Sequence, residues 1–461
     1  MTTDMEEYER EPLDSFSLKR SPLVLLLLIV GVAVRFFVVG YFEDSPLTDA
    51  EKIYTQVGDN WVGTYGLSLD GQPIAAVMPA YPILLGLQKW LYSDSWQPII
   101  WLQIVLGALS AWLGARIAWK VYRQPVAFWA AFLILLLHPA FCAMCGKIEP
   151  LCIATFLFLL GVWFLTFVFL PSFHLFYFLM VAGIFSFALY FSLKILVIVP
   201  LLALGIGFLA YERMVGVLGG ITVCLALLVA LMPWMGRNLI VMGTFIPLTT
   251  SLPGQIETAL VNRNEPSAGQ IKISSGKGEL DDYQRSLDRI PEEIKRVGVG
   301  DWFGTLAGAF TSWWSDYPVL FQKLHTGSNI LVRTVLFTLG ITLFFLALIG
   351  ILPNLNMGQT WVFLIALCAF GFQISFLASP PYYHLLGFPL LILFTARGVS
   401  QIAVLFTKNW RSTEPESGPP KLTWKSETEY EYEDPYLEPI KGPQKVFGDS
   451  EEEDSKPGPL F

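Results

Sequence analysis

Acids set out in front of a hydrophobic helix are the residues of this chain whose type and spacing best suit chemistry. Asp49 and Glu51 close the run Asp44-Ser45-Pro46-Leu47-Thr48-Asp49-Ala50-Glu51, just past an apolar window, with Gly63-Thr64-Tyr65-Gly66 beyond it. A further acid, Glu149, lies in Gly146-Lys147-Ile148-Glu149-Pro150-Leu151, between two other apolar windows. Held at a membrane face, such an acid takes a proton from an acceptor hydroxyl while a lipid-borne leaving group stands beside it. Each also has a structural use. Asp49 can cap a short helix whose first turn is Ala50, Glu51 and Lys52, and Lys147 with Glu149 can form an interfacial ion pair or mark the turn.

The cations offer the complementary chemistry. Arg237, in Met232-Pro233-Trp234-Met235-Gly236-Arg237-Asn238, is a permanently charged fork at the end of an apolar window, suited to bidentate phosphate contact. Lys194 and Arg35 stand near the same ends of their own windows, and the three are expected as a cationic collar for an anionic lipid; snorkelling to headgroups is the alternative use. Tyr81 in Met78-Pro79-Ala80-Tyr81-Pro82, and Tyr383 with His384 in the last outer turn, complete the expected pocket with Glu149, Lys147 and Asn238. Aromatic belt placement also accounts for the tyrosines.

The elements that must position these residues are hydrophobic. Of 461 residues, 54% are hydrophobic and 15% charged, a profile of a polytopic membrane protein. A helical span takes roughly 20 apolar residues. Windows of about that length run from Pro22 to Tyr41, Gln97 to Trp119, Val126 to Met144, Leu151 to Leu170, Leu175 to Leu193, Ile195 to Tyr211, Val215 to Met235, Ile330 to Ile351, Trp361 to Leu377 and Leu385 to Phe406. The fold class expected is therefore an all-α polytopic membrane protein with about ten transmembrane helices, extracytoplasmic loops carrying interfacial helices, and disordered termini. The first window has no small-residue cleavage site after it and reads as a span rather than a signal peptide.

Lys19 and Arg20, Arg116, Lys120 and Arg123, Arg213, and Lys408 with Arg411 mark cytoplasmic ends, which puts both termini in the cytoplasm. The expected division is a cytoplasmic tail 1–21, a transmembrane module 22–235 with a first external loop 42–96, an external region 236–329, transmembrane helices 330–407 and an acidic cytoplasmic tail 408–461. Within the first loop, Ile83 to Tyr92 is too short to span and suits a helix lying in the interface. Within the larger loop, an amphipathic stretch is expected from Asp281 to Val297 and a membrane-apposed helix around Trp302 to Trp314. The tails are too polar to fold alone, and the net charge of −8 argues against nucleic acid as a partner. Cys142-Ala-Met-Cys145 has the spacing of a redox or metal pair, but the five cysteines read as small core residues rather than a disulfide framework.

The order of Arg35, Asp49-Ala50, Gly63-Thr64-Tyr65-Gly66, Met78-Pro79-Ala80-Tyr81-Pro82, Lys147-Ile148-Glu149-Pro150-Leu151 and Pro233-Trp234-Met235-Gly236-Arg237-Asn238 resembles the GT-C superfamily of membrane glycosyltransferases. More narrowly it is similar to the bacterial branch related to protein O-mannosyltransferases and lipid A aminoarabinose transferases, from about Leu23 to Phe406. The resemblance implies inverting transfer of a sugar from a polyprenyl-phosphate donor to an acceptor at the outer face of a bacterial inner (plasma) membrane. Asp49 would be the base with Glu51 adjacent, and Arg237, Lys194 and Arg35 would hold the donor phosphate. Departures are Ala80 and Met78 in the Pro-rich motif, Ile148 before Glu149, and Lys194-Ile195 where relatives carry Arg-Pro. The partners implied are the lipid-linked donor, membrane lipids and an acceptor that is protein, lipid or polysaccharide. No cofactor is demanded, and a divalent metal stays open, with Asp49 and Glu149 as oxygen ligands. A transporter or flippase of a lipid-linked sugar is the other reading; the ionisable residues gather at helix ends rather than mid-span, and no repeat of the two halves is visible.

Overall fold

A computed structural model of the chain describes residues 15–42, 47–63, 66–92, 95–166, 174–210, 212–261, 277–296, 300–301, 304, 330–376 and 385–411. The chain divides into two units, Met1–Asn409 and Trp410–Phe461, and of the second only Trp410 and Arg411 are described. The bulk of both expected tails, the expected helix around Trp302 to Trp314, and the Tyr383–His384 turn lie outside the described residues.

Within the described residues, each apolar window falls largely on helix. α1 (Ser15–Phe42) begins inside the segment expected as tail. It is apolar on every side, with Leu25, Leu26, Ile29 and Phe37 exposed, as a helix facing lipid would be. α4 (Gln97–Tyr122) starts on Pro98, where a missing N–H costs nothing, and ends on a left-handed Arg123 whose N–H bonds to Trp119 O at 2.8 Å. α5 (Pro125–Leu137) and α6 (Pro139–Ala143) meet at a 52° bend. His138 precedes a proline, which disfavours helical backbone and leaves it extended. α7 (Leu151–Leu165), α8 (Leu175–Phe191), α9 (Ile198–Phe208) and α10 (Arg213–Met242) follow, then α11 (Ser251–Val261), α12 (Lys277–Arg296), α13 (Ile330–Ile351), α14 (Gly358–Phe376) and α15 (Phe388–Arg411).

Four described helices are long and apolar enough to cross a membrane, covering Pro22–Tyr41, Gln97–Tyr122, Arg213–Met242 and Phe388–Phe406; the bent pair from Pro125 to Gly146 makes a fifth. The remaining windows carry apolar helical stretches of 10–17 residues, so among the described residues four or five crossings are shown by length and composition, and the about ten expected are not. Small residues let the helices close on one another. Gly207 and Gly216 bring the backbones of α9 and α10 together, Gly350 and Gly398 those of α13 and α15, and a Cβ at any of them would run into the facing chain.

One buried charge staples three helices. Arg35 of α1 is fully buried and donates from Nη1 to Leu136 O (2.8 Å) and Gly31 O (3.1 Å), and from Nη2 to Leu135 O (3.1 Å) and Gly107 O (3.3 Å). Leu135 and Leu136 belong to the last turn of α5, whose carbonyls have no partner within their own helix and carry its negative end. Arg35→Leu keeps the apolar surroundings and strands those carbonyls in a dry interior. Its expected effect is a loss of at least about 2 kcal/mol, measured as a lower thermal midpoint of the detergent-solubilised protein.

α2 (Asp49–Val62) and α3 (Ala80–Tyr92) pack together over the first external loop. They cross where Gly58 faces Gly86, and Lys89 Nζ pairs with Asp59 Oδ1 at 2.9 Å. Between them β1 (Ser68–Leu69) and β2 (Gln72–Pro73) form a two-residue antiparallel hairpin, Ser68 opposite Pro73 and Leu69 opposite Gln72. Its turn needs positive φ at both central positions, which Asp70 (51°) and Gly71 (76°) supply. A small core of Val57, Leu69, Ile74 and Ala76 lies beneath. α3 buries Tyr81, Pro82, Leu85 and Gln88 while exposing Leu87, Trp90, Leu91 and Tyr92, the two-sidedness expected of an interfacial helix.

Candidate active site

The expected acids take different positions. Helix α2 starts at Asp49, but the cap is Thr48, not Asp49: its Oγ1 accepts from Glu51 N at 3.2 Å, and Glu51 Oε2 accepts from Thr48 N at 2.8 Å, a reciprocal capping box. Glu51 Oε1 accepts from Ile148 N at 3.0 Å, and Lys147 Nζ stands 3.9 Å from Oε2. Glu51, 3% exposed, is thus the bolt between the first loop and the 147–149 turn. Asp49 is exposed, its carboxylate 3.0 Å from Lys52 Nζ. The acid that meets the second turn is therefore Glu51, whereas Asp49 faces outward two residues earlier.

Glu149 is 1% exposed in the turn that opens α7. Its charge acts on Tyr54, Tyr81 and Lys194, residues of α2, α3 and the 3-10 turn Leu193–Ile195 between α8 and α9. Tyr54 and Tyr81 stack edge to face with centroids 5.4 Å apart. Burial, reinforced by the Glu149 charge, pushes both phenols above their ordinary pKa, so each keeps its proton. Tyr81 donates to Gln103 Oε1 at 3.1 Å, while Gln103 Nε2 donates to Cys145 O and Lys147 O, both at 2.9 Å. Lys194 lies outside both neighbouring apolar windows. Burial lowers its pKa to about 7, and the Glu149 carboxylate pulls the other way. A carboxylate, a near-neutral amine and two phenols from four separate elements thus gather at one end of the helices.

Arg237 belongs to another network. It lies within α10, which continues past the expected span end to Met242 and closes on a left-handed Gly243 (φ 69°). Its Nη1 donates to Ile74 O (2.6 Å) and Asn238 Oδ1 (3.1 Å), its Nη2 to Leu67 O (3.0 Å), and its guanidinium lies 5.2 Å from the Trp234 ring centroid. Asn238 Nδ2 donates to Ile246 O at 3.2 Å, and Trp234 Nε1 to Leu248 O. The Pro-Trp-x-x-Arg-Asn segment is therefore a clip that holds the end of the first loop against the chain leaving α10. Arg35 and Arg237 thus bind different sets of backbone carbonyls, and Lys194 lies within the field of Glu149.

Three participants escaped the sequence reading. Gln103 is an amide inside the apolar window from Gln97 to Trp119, a polar signal in the sequence. Tyr54 was visible only as one aromatic in a polar loop. Glu279, at the start of α12, accepts from Ala75 N at 2.9 Å and from Thr250 Oγ1, and its other carboxylate oxygen is buried without a partner among the described residues. Burial raises its pKa; those two hydrogen bonds and the Arg237 charge oppose the shift. It joins α12 to the first loop over a separation of 204 residues, which no local pattern encodes. The cysteines are all free, with Cys142, Cys145 and Cys152 buried, Cys224 intermediate and Cys368 exposed rather than in the core. Among the described residues no three of His, Cys, Asp and Glu converge as a metal site.

No protein-family model matches the chain, and no curated protein matches it in sequence. Among solved structures it is similar to the archaeal oligosaccharyltransferase AglB from Archaeoglobus fulgidus, in complex with an inhibitory peptide and a dolichol-phosphate. The identity is 13% and the TM-score 0.47, over 88% of this chain and 53% of that one, so the chain spans about half the length of AglB.

Proposed function

We propose that the chain is a multi-pass membrane glycosyltransferase that moves a sugar from a polyprenyl-phosphate donor to an acceptor on the extracytoplasmic face. The observation that carries this reading is the gathering of Glu149, Lys194, Tyr54 and Tyr81 at one end of the apolar helices, under a first loop bolted down by Glu51 and Arg237. A charged, partly dry pocket at helix ends suits a phosphate headgroup whose tail stays in lipid. In the reaction, the exposed Asp49 takes the acceptor's hydroxyl proton as the oxygen bonds the anomeric carbon, with inversion. The bond from that carbon to the phosphate oxygen breaks, and its electron pair leaves on the polyprenyl phosphate. Protonated Lys194 offsets the charge that grows on that phosphate. Arg35, Glu51, Arg237 and Asn238 position the elements, and Lys147, Tyr81 and Glu149 shape the pocket. The remaining apolar helices complete about ten crossings, with both termini cytoplasmic.

The test is transfer from a panel of radiolabelled polyprenyl-phosphate sugars in proteoliposomes that contain bacterial envelope extract as acceptor source. The expected result is label covalently joined to acceptor with release of polyprenyl phosphate. Label that crosses the bilayer still attached to its lipid would replace the transferase with a flippase.

A further inference from the structure

We propose that the far end of α4 is a phosphate-binding site, in which Arg116 and Lys120 of α4, its cap Arg123 and Arg397 of α15 receive one phosphate group at the membrane surface opposite the Gln103 network. Lys120 lies 17 residues beyond Gln103, about 25 Å along a helix at 1.5 Å per residue, so the two sites stand at opposite faces of a bilayer. The proposal is independent of the glycosyltransferase reading.

Arg116 and Lys120, four apart, share one face of α4, where like charges repel, and Arg123 is the left-handed residue that caps the helix. Arg123 and Arg116 are both close enough for their charges to act on the Lys120 ammonium. α15 adds Arg397, whose guanidinium lies 5.6 Å from the ring centroid of Tyr122, between Lys120 and Arg123 in sequence. The two helices are further tied by Ser400 Oγ donating to Gln124 Oε1, and Arg397 is oriented by Nη2 donating to Asn354 Oδ1 at 3.1 Å.

Cations at a cytoplasmic helix end ordinarily extend into water or headgroups. Here Lys120 Nζ and Arg397 Nε are buried and have no hydrogen-bond partner among the described residues, although each is a donor. Buried donors are ordinarily satisfied, and these two, at a helix end where cations gather, call for an acceptor of opposite charge. A phosphate provides several acceptor oxygens and matches both the guanidinium fork and the point charge of an ammonium. Its source is either an anionic phospholipid headgroup or a free phosphate.

The full chain in neutral detergent is followed by tryptophan fluorescence during heating. Phosphatidylglycerol, phosphatidylcholine of the same acyl chains, or inorganic phosphate at constant ionic strength is added in separate series. The expected result is a saturable rise in the midpoint with phosphatidylglycerol and a smaller one with phosphatidylcholine. Lys120→Gln and Arg397→Gln each raise the half-saturating lipid ratio about tenfold, the loss of one hydrogen bond to a charged group. Arg213→Gln, which removes an exposed cation from α10 stacked on Phe208, leaves the response intact. A matching response to inorganic phosphate assigns the site to the phosphate group itself, and a response to lipid alone assigns it to a headgroup anchored by its chains. If Lys120→Gln does not fold, Arg397→Gln carries the same comparison. No response in the native chain, or one unchanged in both variants, overturns the proposal.

Discussion

Asp49→Asn is expected to reduce sugar transfer by at least about 10²-fold, the lower range for removing a general base, while leaving the thermal midpoint nearly unchanged. The substitution removes a carboxylate from the exposed first turn of α2 and breaks one surface pair with Lys52, an interaction of about 0–1 kcal/mol. The cap is untouched, because Thr48 and Glu51 make it. Glu51→Gln gives the opposite pattern. A glutamine has one acceptor oxygen for the two backbone N–H groups, of Thr48 and Ile148, that the glutamate oxygens share out, so stability falls and activity falls with it. Initial rates at saturating donor, together with unfolding curves for both variants, separate the base from the bolt. Normal transfer by Asp49→Asn would remove Asp49 as the base and leave Glu149 as the buried acid to be tested by Glu149→Gln.

The amino-acid sequence made the helices legible because apolar windows report themselves, and Pro22–Tyr41 coincides with the candidate crossing at α1. The number of crossings is less legible, because residue type does not fix how far a helix runs: among the described residues the helices at 151 and 175 have 15 and 17 residues. The candidate acids were visible as types, but their uses depend on long-range contacts. Nothing near Glu51 announces a bond to Ile148, 97 residues on, and nothing near Arg237 announces carbonyls 163 and 170 residues earlier. A motif such as Pro-Trp-x-x-Arg-Asn is recognisable, yet its Arg carries the same letter whether it holds a ligand or a loop. Arg35 illustrates the same limit, since a cation near a helix end reads as surface and here staples α1, α4 and α5.

Lys194 carries the second large effect. With its pKa lowered to about 7, the ammonium is half deprotonated near neutrality, so a reaction that needs its charge loses kcat/KM with rising pH. The expected free-enzyme profile falls about tenfold per pH unit above pH 7. The limb in kcat lies higher, because bound phosphate stabilises the charged form. Stability moves the other way. The folded-state pKa is lowered from 10.5 to about 7, so between those values the unfolded chain binds more protons than the folded one, and stability rises with pH through that window. Loss of activity against rising stability cannot be read as unfolding. Lys194→Met removes the limb along with most of the rate, whereas Lys194→Arg, charged throughout the range, removes the limb and keeps part of the rate. The profile is taken from pH 6 to 9 with initial rates on one polyprenyl-phosphate sugar. An unchanged limb in Lys194→Arg would show that another group titrates and that Lys194, next to Glu149, serves only to neutralise a buried acid.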